Sequence, residues 1–284
     1  MPRPLPPPGR RRPDPGALGA GGQRQPGRSG RWVRDALLRG EFDGTSFRAT
    51  GWDWLDHGAD LYAAVSWNDT PDQERVLLGW MSNWDYAHAV PSSPFRGSMS
   101  LPRRCDLRSI DGEVRLVQAP VRAVQALVGS RSRVVLDDVR LGPGTTRVVT
   151  GLDEAVALEV ELRPEAARRC GLVLDHGRGG RTEIGYERDP EGRGWVYVDR
   201  GDSGAPTFSD RFTARHRAPL PLREGALRLQ VFLDRASVEV FAGDGERVLT
   251  DLVFPTGPAD LAVFAEGGAV LVRLGLARLG RDSG

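Results

Sequence analysis

Short runs in which every second residue is apolar recur along this chain, and turn residues close almost every one of them. Val156, Leu158, Val160 and Leu162 share one face of such a run, with Ala157, Glu159 and Glu161 on the other. Leu227, Leu229, Val231 and Leu233 repeat the pattern. So do Val238 with Val240, then Val248, Thr250 and Leu252 beyond an Asp244-Gly245 turn, and finally Val270, Val272, Leu274 and Leu276. A period of two places alternate side chains on opposite faces of an extended strand, so each run has one apolar face to bury. Many such strands joined by Gly-rich turns predict two antiparallel sheets packed face to face. The 36 glycines and 21 prolines among 284 residues fit a turn-rich all-β chain, and no long helix is predicted.

The same texture begins further upstream. Leu61, Ala63 and Val65 alternate with Tyr62, Ala64 and Ser66, a turn follows at Asn68–Asp72, and Arg75–Trp80 reads as the returning strand. Arg104–Ile110 and Glu113–Val117 read as a hairpin with Asp111-Gly112 at its tip. Residues 1–39 differ. Met1–Gly9 is mostly proline, Arg10–Arg12 follows, and the Gly/Ala/Gln/Pro mixture beyond has no period that supports a strand or helix. This segment is expected to be disordered or read partly out of frame. Its first 30 residues lack the apolar core of roughly 7–15 residues that a secretory signal needs, and localisation stays open.

Charge excludes several classes of partner. The 39 basic and 38 acidic residues leave a net charge of +1, and every basic residue is arginine. So flat a balance argues against nucleic acid and against an anionic membrane surface. No apolar run approaches the roughly 18 residues of a spanning helix. Cys105 and Cys170 stand alone, without the spacing of a structural zinc site, and read as two free thiols. His57, His88, His176 and His216 show no ligand spacing, so no metal site is expected.

Two stretches carry a resemblance. Leu55–Ala64 (LDHGADLYAA) is followed by Val76–Ala87 (VLLGWMSNWDYA) and Ser98–Arg103 (SMSLPR). Leu233–Gly245 (LDRASVEVFAGDG) runs into Thr250–Pro255 (TDLVFP). Both resemble glycoside hydrolase family 32, the levanases, inulinases, invertases and other β-fructosidases. Glu183–Tyr186 and Tyr197–Arg200 look like the same family's C-terminal module. The resemblance implies an all-β fold, a remnant of a five-bladed β-propeller followed by a β-sandwich. It divides the chain into residues 40–105 as the final part of the propeller, 106–120 as a linker strand and 121–284 as the sandwich. The implied reaction is hydrolysis of β-fructofuranosidic bonds in levan, inulin or sucrose, with retention and without a cofactor.

Retaining glycosidases work with two carboxyl groups about 5–5.5 Å apart. In this family the nucleophile belongs to an N-terminal W-M-N-D-P-N-G motif, a second Asp to R-D-P, and the acid/base Glu to E-C. Trp67-Asn68-Asp69 resembles the first, but Thr70 replaces proline and the segment is a turn between strands. Arg188-Asp189-Pro190 is a literal R-D-P at an expected hairpin tip in the sandwich. No Glu-Cys pair exists. No catalytic residue is therefore assigned, and the chain is expected to be inactive by itself, as a truncated or frame-shifted gene product would be. The alternative is a non-catalytic carbohydrate-binding or scaffolding sandwich module.

Five of the seven tryptophans (Trp52, Trp54, Trp67, Trp80 and Trp84) fall within residues 52–84. Most are expected to pack inside the propeller part, because the indole buries a large area. The resemblance places Trp84 near a fructosyl site and Asp56 and Asp60 at a pocket rim, with Asn83 and Tyr86 as hydrogen-bonding candidates. Asp234 and Glu239 belong to the strongest sandwich motif, and strand-end ion pairing explains them without a functional role. Exposed propeller edges would also permit self-association.

Overall fold

The period-two runs become strands, most of them with the alternating apolar residues turned inward; Val248, Thr250 and Leu252 instead face away from the sandwich core, which takes Leu249 from that strand. The computed structural model describes residues 17–20, 35–67, 69–70, 73–152, 155–177, 180–203, 208–212 and 215–280. Strands β1 (Ala17–Ala20), β2 (Ala36–Phe42) and β3 (Phe47–Trp54) form a three-stranded antiparallel sheet. Strands β4 (Tyr62–Ser66), β5 (Arg75–Met81), β6 (Ser98–Met99), β7 (Arg103–Ile110) and β8 (Glu113–Pro120) form a second, in the order β4-β5-β7-β8 with β6 also paired to β5. These two sheets make the first module. Its small core gathers Leu37, Leu55, Leu61, Leu77 and Leu116.

After helix α1 (Arg122–Arg131) come β9 (Ser132–Leu141), β10 (Gly144–Leu152), β11 (Val156–Arg163), β12 (Arg169–Asp175), β13 (Arg181–Arg188) and β14 (Gly194–Asp202). Strands β15 (Arg215–Pro219), β16 (Leu227–Asp234), β17 (Ser237–Ala242), β18 (Arg247–Leu252), β19 (Ala259–Glu266) and β20 (Val270–Arg278) complete the chain. They build two six-stranded sheets, β10-β19-β12-β13-β14-β15 and β18-β17-β16-β11-β20-β9. The predicted inward residues of β11, β16 and β20 meet Leu172, Ile184, Val196, Val198, Leu261 and Val263 of the facing sheet in one continuous core. Burying each such side chain is worth about 1.5–3 kcal/mol, so this interior carries the fold.

The structure departs from the sequence reading in several places. Strand β2 starts at Ala36, and Leu37 is buried, so folded chain begins inside the segment expected to be unstructured. Strand β1 also lies in that segment; residues 1–16 and 21–34 fall outside the described residues. Residues 106–120 are no separate linker, since β7 and β8 pair along their length from Arg103↔Pro120 to Ile110↔Glu113. Asp111 and Gly112 both have positive φ at the predicted tip, as a two-residue hairpin turn requires. The connection is instead α1, an unanticipated helix whose Val128 packs against Ala157, Phe232, Phe241 and Ala277. It covers the outer side of the sandwich, where Ala157 and Phe232 would otherwise meet water.

The alternation at Leu61–Ser66 is broken. Leu61 is buried, yet Val65 is 60% exposed. A register shift between Tyr62 and Val65, with Ala63 at φ 51°, inserts an extra residue and turns the strand's later side chains to the other face. The expectation for the tryptophans also changes. Trp52, Trp67 and Trp84 are 58%, 48% and 62% exposed, and only Trp54 and Trp80 are half-buried.

Candidate functional site

The segment Leu55–Asp60 leaves β3 and lies against β18. His57 N donates to Val248 O at 2.8 Å, and Asp60 N to Thr250 O at 2.9 Å. Gly58 permits this approach: a Cβ on it would stand 2.1 Å from Thr250 O. The segment thereby brings Asp56 and Asp60 to the sandwich, where each meets a buried guanidinium.

Arg103, at the start of β7, is completely buried. Its Nη1 donates to Asp56 Oδ2 at 2.8 Å, and its Nη2 donates to Glu239 Oε2 at 2.8 Å and to Thr250 Oγ1 at 2.5 Å. Thr250 Oγ1 in turn donates to Asp56 Oδ2 at 2.7 Å. Glu239 Oε1 accepts from Leu101 N at 2.8 Å, and Gln118 Nε2 donates to Leu55 O at 2.7 Å. Two carboxylates from opposite modules therefore share one cation. Burial pushes the Glu239 carboxyl up, while Arg103 opposes that rise.

Arg200, on β14, is also completely buried and builds a second network. Nη1 donates to Asp60 Oδ2 at 2.5 Å and to Leu252 O at 2.9 Å; Nη2 donates to the Tyr86 hydroxyl oxygen at 2.8 Å. Tyr86 donates its own proton to Asp60 Oδ1 at 2.5 Å. Burial, reinforced by Asp60, keeps that phenol un-ionised far above its ordinary range. The guanidinium also lies over Phe212, 4.0 Å from the ring centroid. Asp251 completes the network, with Oδ1 2.7 Å from His216 Nδ1, 3.9 Å from Arg200 Nη1, and accepting from Ala59 N at 3.0 Å. Burial would raise the Asp251 carboxyl, but His216 and Arg200 outweigh it and hold it at about 2.

The sequence candidates separate accordingly. Asp56, Asp60, Asn83 and Tyr86 come together, but at the module interface, with exposures of 3%, 0%, 1% and 0%. Asn83 Nδ2 donates to Ala59 O at 2.8 Å, and its Oδ1 accepts from Asp85 N at 3.0 Å. These four side chains are buried and hydrogen-bonded to protein partners. Their part is to clasp the modules and hold the turn that carries Trp84. Trp84 alone faces solvent. It lies 5.0 Å from Trp80 and 6.5 Å from Tyr62 between ring centroids, and the three rings form one aromatic patch.

The decoys are turn residues. Asp69 has φ 51° between β4 and β5. Asp189 lies at the β13–β14 tip, accepting from Arg193 N at 2.8 Å and Trp195 Nε1 at 3.2 Å. Of the two acidic residues of that motif, Glu239 is ion-paired, with Arg103, whereas Asp234 caps its turn by accepting from Arg235 N at 2.7 Å. Sequence reasoning missed Arg103 and Arg200 as the centres. Their signal was an arginine ending each of two family-like motifs, SMSLPR and YVDR. Cys105 and Cys170 are free thiols, one in each module.

This is the architecture of a two-module, all-β protein whose modules share charged side chains across their boundary. The family 32 C-terminal domain of glycosyl hydrolases matches residues 123–276, and the family 32 N-terminal domain matches residues 28–120. A levanase from Bacillus subtilis (strain 168) is 37% identical over 245 residues, covering 82% of this chain and 36% of the levanase. An extracellular exo-inulinase from Aspergillus awamori is 33% identical over 242 residues, covering 81% of this chain and 44% of the inulinase. A crystal structure of exo-inulinase from Aspergillus awamori superposes with a TM-score of 0.78 at 27% identity, over 94% of this chain and 57% of that one. The chain belongs to glycosyl hydrolase family 32, and it spans less than half the length of these two relatives. Its fold class is accordingly propeller sheets followed by a β-sandwich.

Proposed function

We propose that this chain supplies the closing propeller sheets and the sandwich of a β-fructosidase acting on levan, inulin or sucrose, and that these 284 residues alone contact the carbohydrate without hydrolysing it. The observation that carries this reading is the division among the candidate residues. Every acidic candidate is locked into the interface, while Trp84, on the turn those residues hold, offers an open aromatic face. Aromatic rings suit the C–H faces of sugars, and the Trp80–Trp84–Tyr62 patch is broad enough for more than one contact. Hydrolysis with retention requires a nucleophile and an acid/base, and the sequence carries neither motif in its place. The non-catalytic binding-module reading draws on the same exposed patch.

The test uses the purified chain. It is expected to release no fructose from levan, inulin or sucrose, but to be retarded in levan-containing native gels. Trp84→Ala is expected to lose the retardation while keeping its melting temperature. Fructose release would overturn the non-hydrolytic part; equal mobility with and without levan would overturn the contact.

A further inference from the structure

The sandwich contains a cavity that the interface does not use. At the end where β10, β12 and β16 finish and β11, β17 and β19 begin, the two sheets part around about 400 Å³. Leu152, Leu174 and Ala259 of one sheet face Val156, Leu233 and Val238 of the other, and Pro255-Thr256-Gly257-Pro258 adds to the lining. The size falls within the roughly 300–1,000 Å³ of small-molecule sites, and an apolar wall with a few polar groups at one side is their usual make-up.

The polar side is the β16–β17 turn together with His176. Asp234, Arg235 and Ser237 line the opening. Asp234 and Arg235 are solvent-exposed, and one carboxylate oxygen of Asp234 is engaged by Arg235 N. His176 is 7% exposed; its Nε2 lies 3.1 Å from Thr182 Oγ1, and its Nδ1 has no hydrogen-bond partner. Burial lowers the basicity of this imidazole, so its neutral form both donates and accepts.

The lining narrows the ligand class. Among the described residues no Phe, Tyr or Trp lines the cavity, so a nucleobase has no broad ring to stack on. A single arginine beside a carboxylate is a poor match for a phosphate. A carboxylate, a guanidinium and a hydroxyl grouped at the rim of an aliphatic wall suit a neutral ring with hydroxyls on its edge and C–H bonds on its face. We propose that this sandwich-end cavity binds one small polyhydroxylated molecule, a single sugar ring or a polyol, with its hydroxyls on Asp234, Arg235 and Ser237. The site is independent of the Trp84 patch.

The test is an NMR titration of the full chain with D-fructose and, separately, glycerol, read at the ring resonances of the four histidines. Binding in the cavity is expected to shift His176 saturably and leave His57, His88 and His216 in place. Arg235→Ala and Ser237→Val, both at the turn and outside the core, are expected to weaken the His176 response at least tenfold with an unchanged melting temperature. Trp84→Ala is expected to leave it intact, which separates this site from the patch. The proposal is overturned if His176 does not respond to either probe, if both turn variants titrate like the parent, or if Trp84→Ala abolishes the response.

Discussion

Two arginines decide how this protein holds together. Arg103 and Arg200 are fully buried, and each neutralises carboxylates contributed by the other module or by both. Removing one partner of a buried ion pair strands the remaining charge, at a cost of about 3–5 kcal/mol. Arg103→Met leaves Asp56 and Glu239 facing each other without a cation and is expected to lose that much in urea unfolding. A surface control such as Arg48→Met is expected to leave the unfolding midpoint at the parent's value, because the Arg48–Glu41 pair is exposed and screened by water. Asp251 adds a pH dependence of definite sign. Its folded pKa is held at about 2, below the ordinary value of about 3.9, so its ionised form stabilises the fold above that ordinary value. As pH falls from about 4 towards 2, this contribution, about 2 kcal/mol, is lost. Unfolding free energies measured between pH 2 and 5 are expected to fall more steeply for the parent than for Asp251→Asn; parallel slopes would contradict the assignment.

At the scale of elements, the decisive piece is a loop. Leu55–Asp60 has no regular secondary structure, yet it carries both interface aspartates and bonds along β18 through its backbone. Close approach is possible because residue 58 has no side chain. Gly58→Ala places a Cβ 2.1 Å from Thr250 O and 2.3 Å from Thr250 N, both rigid backbone atoms of a sheet. The substitution is expected to cost about 1–3 kcal/mol or more and to lower the thermal midpoint. Gly257→Ala, with open space around the site of the added Cβ, is the control expected to do little. The β17–β18 turn works in the same way from the sandwich side. Gly245 has φ 90°, and an added Cβ would lie 2.0 Å from Gln118 O of β8. Each module thus uses a glycine to bring its backbone against the other.

For the whole molecule, the two modules are unequal. The sandwich has a deep core of its own, whereas the first module has five buried core side chains in its main cluster and leaves Phe42, Trp52, Val65, Trp67, Phe95 and Met99 exposed. The first module therefore depends on the clasp. Five of the seven tryptophans report on it, so fluorescence follows the first module while far-UV circular dichroism is dominated by the sandwich. In the parent the two signals are expected to melt together. In Arg200→Met, the fluorescence transition is expected to precede the dichroism transition by several degrees. Coincident transitions in the variant would show that packing alone couples the modules. The exposed apolar side chains also favour self-association, which is expected to appear as a concentration-dependent sedimentation coefficient.

The sandwich strands, the inward residues of β11, β16, β17 and β20, and the Asp111-Gly112 and Asp244-Gly245 turns were legible in the sequence; on β18 the alternating Val248, Thr250 and Leu252 face away from the core, which takes Leu249 instead. Alternation and turn chemistry are local properties that a strand imposes on its own residues. The bulge at Ala63 was not legible, because a one-residue slip is set by the partner strand. Nor was the burial of Asp56 and Asp60. A carboxylate on a glycine-containing loop looks the same whether it meets a sugar or an arginine more than forty residues away. The sequence by itself determined the class of fold and the family motifs. Only the tertiary structure decided which charged residues would be sealed between the modules and which aromatic ring would stay in water, because that choice depends on contacts between segments far apart in the chain.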